Sequence, residues 1–191
     1  MPAPLRVLFA AGETGEWSIT RLSAVIGDPL ADAPRLSVSA APGTAPDAKT
    51  AWCLEGTTSN LRYTARAEDA ALKARQEGLG RPAATLAALI PIRKTPAWWD
   101  LPQDERRAIF EEQSRHIAIG LDYLPAVARR LHHARDLGGP FDFLTWFEYA
   151  PEHEAAFEHM VERLRGTEEW RYVEREVDIR LVSTPAAGPP R

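Results

Sequence analysis

Five histidines occur in the chain, His116, His132, His133, His153 and His159. Their spacing forms no H-E-x-x-H, facial-triad or zinc-finger pattern, so a zinc site built by protein side chains is not expected. His116 stands apart because of where it falls. Ile109, Phe110, Gln113, His116, Ile117, Gly120, Leu121 and Leu124 recur at helical spacings and draw one largely apolar face. Gly120, one turn beyond the histidine, leaves a gap at which a flat group could approach the helix. An imidazole on such a face is either a buried core histidine or an axial ligand, since imidazole binds haem iron well; the residues by themselves leave both open. A ligand histidine needs an acceptor on its second ring nitrogen, commonly a carboxylate. Glu112, four residues before His116, and Glu169, in a distant short turn beside Trp170, are the candidates. Arg129 lies beyond the break expected at Pro125, from where it either reaches the same cavity from the other side or stays solvated. Lys94 and Arg93 precede the Trp98-Trp99 pair. Two cations and two flat apolar rings suit a site that holds a planar group bearing carboxylates.

The element that must position these residues is the stretch from Trp98 to Gly139, the longest helical signal in the chain. Asp100 can cap its first turn, Pro102 sits where a missing amide costs nothing, and Gln103 completes a capping box. Pro125 should bend or break the helix near Leu124, with a second apolar and basic segment running from Arg129 to the Gly138-Gly139 pair. Before this stretch, Leu5 to Ala10 and Trp17 to Ile26 read as strands joined by a turn at Gly12 to Gly15, with Trp17, Ile19 and Leu22 inward. Residues 27–49 read as a loop. Trp52 to Tyr63 is extended, and Thr64 caps a helix stopped at Gly78. Ala84 to Arg93 reads as a buried strand, with Pro91 arguing against a central place in the sheet.

After it, FDFLTWFEY, from Phe141 to Tyr149, is the strongest strand signal in the chain. Pro151 opens a helix striped by Ala155, Phe157, Met160, Val161 and Leu164, and Thr167 can cap a turn carrying Glu168 and Glu169. Val173 to Leu181 alternates with Glu174, Glu176, Asp178 and Arg180, as in a strand with one buried face. From Trp52 onward the order is β, α, β, long α, β, α, β, which predicts an α+β, ferredoxin-like antiparallel sheet with helices on one face. Its other face can be covered by a cofactor, by the N-terminal strands or by a partner subunit. No G-x-G-x-x-G follows a strand, which argues against a doubly wound nucleotide fold.

A chain of 191 residues buries roughly 70% of its unfolded surface, enough for one compact unit. The net charge of −4, with both signs interspersed, offers no footprint for nucleic acid or an anionic membrane. Cys53 is the only cysteine, so no intrachain disulfide forms. The N-terminal apolar run is too short for a secretory core, and no segment approaches the roughly 18 apolar residues of a membrane span. A cytoplasmic location is the expectation.

The segments IPIRKTPAWW, HIAIGLDYLPAVARRLHHARDLG, FDFLTWFEYAPE and LRGTEEWRYVEREVDIRL resemble the chlorite dismutase family over about Ala51 to Leu181. The resemblance implies a dimeric α+β barrel that binds haem b and converts chlorite to chloride and dioxygen. It implies that His116 is the proximal iron ligand, that Glu169 hydrogen-bonds its outer nitrogen, and that Arg129 is a mobile distal arginine. Lys94 would lie near the haem propionates, Trp98 and Trp99 would line the pocket, and Gln76 would hold the arginine in one orientation. The shorter length resembles the short dimeric members and implies a homodimer, with a reduced N-terminal part over about residues 1–50 and a ferredoxin-like core over about 51–182. Related coprohaem decarboxylases carry glutamine in place of the arginine and a catalytic tyrosine in the strand before the tryptophans. Here Arg129 is present and the strand reads ALIPIRK, so the resemblance favours chlorite chemistry over decarboxylation. A haem-binding α+β dimer without chlorite turnover is the remaining alternative.

Overall fold

Two sets of four strands, each in the order fourth, first, third, second, close into one antiparallel barrel. The computed structural model describes residues 5–40, 49–58, 66–75 and 77–183. The first set is β1 (Arg6–Gly12), β2 (Trp17–Ile26), β3 (Arg35–Ser39) and β4 (Thr50–Thr57), followed by helix α1 (Arg66–Arg75). The second set begins with β5 (Leu86–Lys94), from which the chain passes through α2 (Pro96–Asp100), α3 (Gln103–Arg107), a π-helical segment (Ala108–Gln113) and α4 (His116–Asp122). It continues with β6 (Val127–His133), β7 (Phe143–Tyr149), α5 (Glu154–Arg165) and β8 (Val173–Ser183). This second set is a complete β-α-β-β-α-β unit with antiparallel ladders throughout. The sets are joined by the long β2–β8 ladder and, among the described residues, by one pair between β4 and β6, Thr57 with His133. The N-terminal strands thus cover the sheet face that the sequence left open.

In the first set a turn replaces the first crossover helix. Residues 13–16 carry the chain from one side of β3 to the other, and Gly15 lies on the backbone of Leu36, where a Cβ would fall 2.3 Å from the carbonyl carbon. Only glycine permits so close a crossing.

Several sequence expectations are corrected. The helical reading past Pro125 fails, because Val127–His133 is strand β6, paired along its length with β7. With Pro125 ending the helical run, the β7 aromatics across from Val127, Arg129, Arg130 and His133 favour the sheet. The loop expected over 27–49 contains β3, whose five residues are too few to show a period. Strand β5 is central despite Pro91: its pairing with β8 lapses over Ile90 and Pro91 and resumes at Ile92, so the missing amide interrupts little. Neither α2 nor α3 has a side-chain cap, since Asp100 ends the first and Gln103 opens the second after Pro102. The Thr167 hydroxyl donates back to the Leu164 carbonyl (2.7 Å) instead of capping the next turn. Thr64 lies outside the described residues.

The core has two parts because strand side chains alternate. Phe9, Leu36, Leu89, Leu144, Trp146, Val177, Ile179 and Leu181 fill the barrel. Ala88, Ile90, Val127, Phe147, Phe157, Met160 and Leu164 pack between the sheet and the helices. Strand β8 therefore has both faces covered, and Glu176, Asp178 and Arg180, expected toward solvent, are buried. Their charges are paired. Arg180 bonds Asp178 through Nε and Nη2 and reaches Glu158 (2.7 Å) on α5, while Arg165 bonds Glu176 (2.6 Å) and Asp178 (2.7 Å).

Burial works against the Asp178 charge, but the guanidinium groups of Arg180 and Arg165 outweigh it and hold the carboxyl below its ordinary range. A carboxyl with a depressed folded pKa adds stability above its unfolded pKa, and that stability is lost as pH falls. The protein is expected to lose stability as pH drops below about 4, the ordinary aspartate value. Asp178→Asn should flatten that acid limb and cost about 3 kcal/mol at neutral pH, because the buried Arg180 and the half-buried Arg165 each lose a charged partner. Urea titrations at several pH values read both effects, and an acid limb as steep as wild type would reject the assignment.

Candidate functional site

His116 opens α4, and Arg129, from β6, packs on Gly120 of that same helix one turn further on. The helical run does not enter α4 smoothly. The π-helical segment ends at Gln113, and Arg115 takes a left-handed conformation (φ 54°) before α4 starts at His116. Such irregularities often sit beside functional groups. Here the kink turns the His116 ring toward Glu169, with Phe110 stacked on it at 4.4 Å.

His116 Nδ1 lies 2.7 Å from Glu169 Oε2. Burial raises the Glu169 pKa, but the facing His116 and Lys94 lower it to about 2, so the carboxylate is anionic. An anionic acceptor requires the proton on Nδ1, which leaves the Nε2 lone pair for a metal. Glu169 is fixed from two further directions. Its N–H donates to Ser114 Oγ (2.8 Å), and Lys94 Nζ donates to Oε1 (2.7 Å). Lys94 is itself buried, with its N–H on Asp142 Oδ2 (2.7 Å) and its ammonium 4.6 Å from the centre of the Trp98 ring. Lys94, expected beside cofactor carboxylates, has the buried carboxylate of Glu169 as its partner in this structure. Arg93 pairs with Glu174 (2.8 Å).

Of the two tryptophans, Trp98 is buried edge-on against Tyr172, whereas Trp99 is partly exposed, stacks on Phe143 and carries the Arg135 guanidinium 3.8 Å from its ring centre. Trp99 Nε1 donates to Asp142 Oδ2 (3.3 Å).

Arg129 rises from β6 on the helix-facing side, and its guanidinium lies on Gly120. A Cβ built on that glycine would fall 1.9 Å from Nη1. The gap read from sequence thus holds a flat group of the protein's own. Burial lowers the Arg129 pKa to about 10 against the opposing pull of Glu111, so the group remains cationic at neutral pH. Gln76 lies outside the described residues.

Sequence reasoning missed Glu111, Ser114 and Asp142. It named Glu112, which is four residues before His116 and would share its face in a regular helix; across the π-helical segment and kink, Glu111 is the carboxylate that turns inward, and Glu112 is exposed. Only an irregularity in the helix separates the two, and adjacent glutamates carry no signal of it.

Among the described residues no group of three or more His, Cys, Asp or Glu side chains could hold a metal ion, and no helix is long and apolar enough to cross a membrane. An antiparallel barrel of two ferredoxin-like strand sets, with a carboxylate-backed histidine at the start of a helix and an arginine from the sheet packed on that helix, defines a member of the dimeric α+β barrel class. A family model, chlorite dismutase, matches residues 47–183, and the chain belongs to that family. It is similar to a dimeric chlorite dismutase of Nitrobacter winogradskyi, with 57% identity, a TM-score of 0.86, and coverage of 93% of this chain and 99% of that one. A chlorite dismutase variant from Candidatus Nitrospira defluvii shares the fold at 20% identity, with a TM-score of 0.68 and coverage of 94% and 91%. A curated relative, the chlorite dismutase of Ideonella dechloratans, is 31% identical over 97 residues, which span 50% of this chain and 33% of that protein.

Proposed function

We propose that this chain is a haem b enzyme that decomposes chlorite to chloride and dioxygen, ClO2− → Cl− + O2. The observation that carries the reading is the His116–Glu169–Lys94 chain, a donor set suited to haem iron: one imidazole nitrogen is held by an anionic, buried carboxylate and the other is left for the metal. His116 would hold the iron, with Trp98, Trp99 and Gln76 assigned to the pocket as the family resemblance implies. Bound there, haem supplies the redox chemistry that moves the oxygens of chlorite off chlorine.

The chain's own residues set the conditions for that chemistry. Glu169 fixes the His116 tautomer and ring direction and makes the imidazole more electron-rich. Together with His116, Lys94 favours the anionic form of Glu169 inside the protein and so supports the hydrogen bond to the imidazole. Arg129 is the catalytic cation, drawing chlorite toward the site, orienting it and retaining the hypochlorite released on the way to dioxygen. No general base is needed, because no proton is transferred in the net reaction.

Arg129 and the absence of tyrosine in β5 favour this reading over a coprohaem decarboxylase. Oxygen evolution from chlorite by the haem-loaded protein, followed with an electrode, tests it, and no oxygen above the haem-only background would reject it. The single cysteine suits a cytoplasmic setting. Chlorite is the small-molecule partner, and the similarity to a dimeric protein over nearly its whole length supports a two-fold homodimer. Light scattering should return twice the subunit mass; a monomer or pentamer would refute it.

A further inference from the structure

We propose that Glu111 is a positioning residue for the iron-binding histidine, holding the kink from which His116 enters α4; this rests on the reading of His116 as the haem ligand. The kink is an awkward place to fix a ligand. Arg115 has a left-handed backbone, and the first N–H groups of α4 have no partner within the helix. Glu111 supplies what the kink lacks. Its main-chain carbonyl accepts the Arg115 N–H (2.9 Å), while its carboxylate accepts the N–H groups of Ile117 (2.6 Å) and Ala118 (3.3 Å). One residue thus bonds the chain immediately before and immediately after His116.

The same kink is tied to the histidine's partner. Ser114, buried at its outer edge, accepts the Glu169 N–H (2.8 Å). The His116 Nδ1 to Glu169 Oε2 hydrogen bond is therefore made between two backbones already fastened together through residues 111–118. Loss of the Glu111 carboxylate frees the start of α4, and the imidazole then meets iron over a spread of tilts with a weaker bond to Glu169. The exposed neighbour Glu112 offers no such contact and serves as the control.

The test uses the haem-loaded protein and compares wild type with Glu111→Ala, Glu111→Gln, Glu112→Ala and His116→Ala. In Glu111→Ala, amide exchange at Ile117 and Ala118 should accelerate about tenfold, the scale of a lost charge-assisted hydrogen bond. The iron–histidine stretching band of the ferrous protein in resonance Raman spectra should broaden and move to lower frequency, and haem transfer to an acceptor protein should quicken about tenfold, as for loss of an outer-shell partner. Glu111→Gln keeps one oxygen for the Ile117 N–H, so it should recover the band position while Ala118 still exchanges faster. Glu112→Ala should match wild type.

An unaltered band in Glu111→Ala overturns the positioning role even if exchange changes, and unaltered exchange overturns the capping contact itself. Should Glu111→Ala fail to fold, Glu111→Gln decides, because wild-type exchange at Ala118 in that variant rejects the proposal. If His116→Ala keeps the iron–histidine band, the ligand assignment has failed, and the proposal falls with it. Amide exchange does not depend on which residue binds iron, so the two failures are distinguishable.

Discussion

His116→Ala is expected to lose haem binding by more than about a hundredfold, because outer-shell partners of a metal-bound histidine alone are worth 10- to 100-fold in affinity and this change removes the ligand itself. Among the described residues no cluster of metal-binding side chains surrounds the site, Glu169 is held by Lys94 and Ser114, and Phe110 covers one face of the ring. The fold should survive, since the His116 side chain is 24% exposed and lies outside both apolar cores. The variant should therefore keep its far-ultraviolet spectrum while losing the Soret band and the iron–histidine stretching mode. A variant that retains that mode with wild-type frequency would show that another residue binds the iron.

Arg129→Ala should behave in the opposite way, retaining haem and losing chemistry. Its guanidinium lies on Gly120, one turn beyond His116 on the same helix, and stays protonated at neutral pH, so it has no lone pair to offer iron. Removing a charged donor that acts on developing negative charge costs about 3 kcal/mol, roughly a hundredfold in kcat/KM for chlorite. More hypochlorite should escape to an added chlorinatable trap, and the haem should bleach earlier during turnover. Arg129→Lys should recover part of the rate, since an ammonium keeps the charge but not the planar fork. Oxygen-electrode traces at matched haem content, with and without the trap, provide the measurement. A variant equal to wild type in rate, trap yield and lifetime would remove Arg129 from the mechanism while leaving the enzyme reading intact.

These residues differ in how far they could be read without coordinates. His116 announced itself as a polar residue on an apolar stripe next to a glycine, and Glu169 as one of two carboxylates able to meet it. Arg129, expected beyond a helix break, stands on a strand, β6. Helical periodicity seemed to continue past Pro125 because Val127, Arg130 and Leu131 satisfy a helix spacing about as well as a strand alternation, and seven residues are too few to separate the periods. Lys94 was recognised as a cation near the site, but its partner was not, because pairing across 75 residues of sequence leaves no local mark.

The sequence by itself determined the α+β class, the strand and helix of most segments, and the stripe that singles out His116, since all of these depend on periodicity within a few turns of chain. Tertiary structure decided the rest. Closure of the barrel by β1–β4 depends on ladders between strands distant in sequence, above all β2 with β8. Burial of Glu176, Asp178 and Arg180 depends on α5 crossing a strand face whose alternation looked solvated. The choice of Glu111 over Glu112 depends on a π-helical segment and one left-handed residue, whose small rotation of the backbone decides which of two identical side chains meets the start of α4.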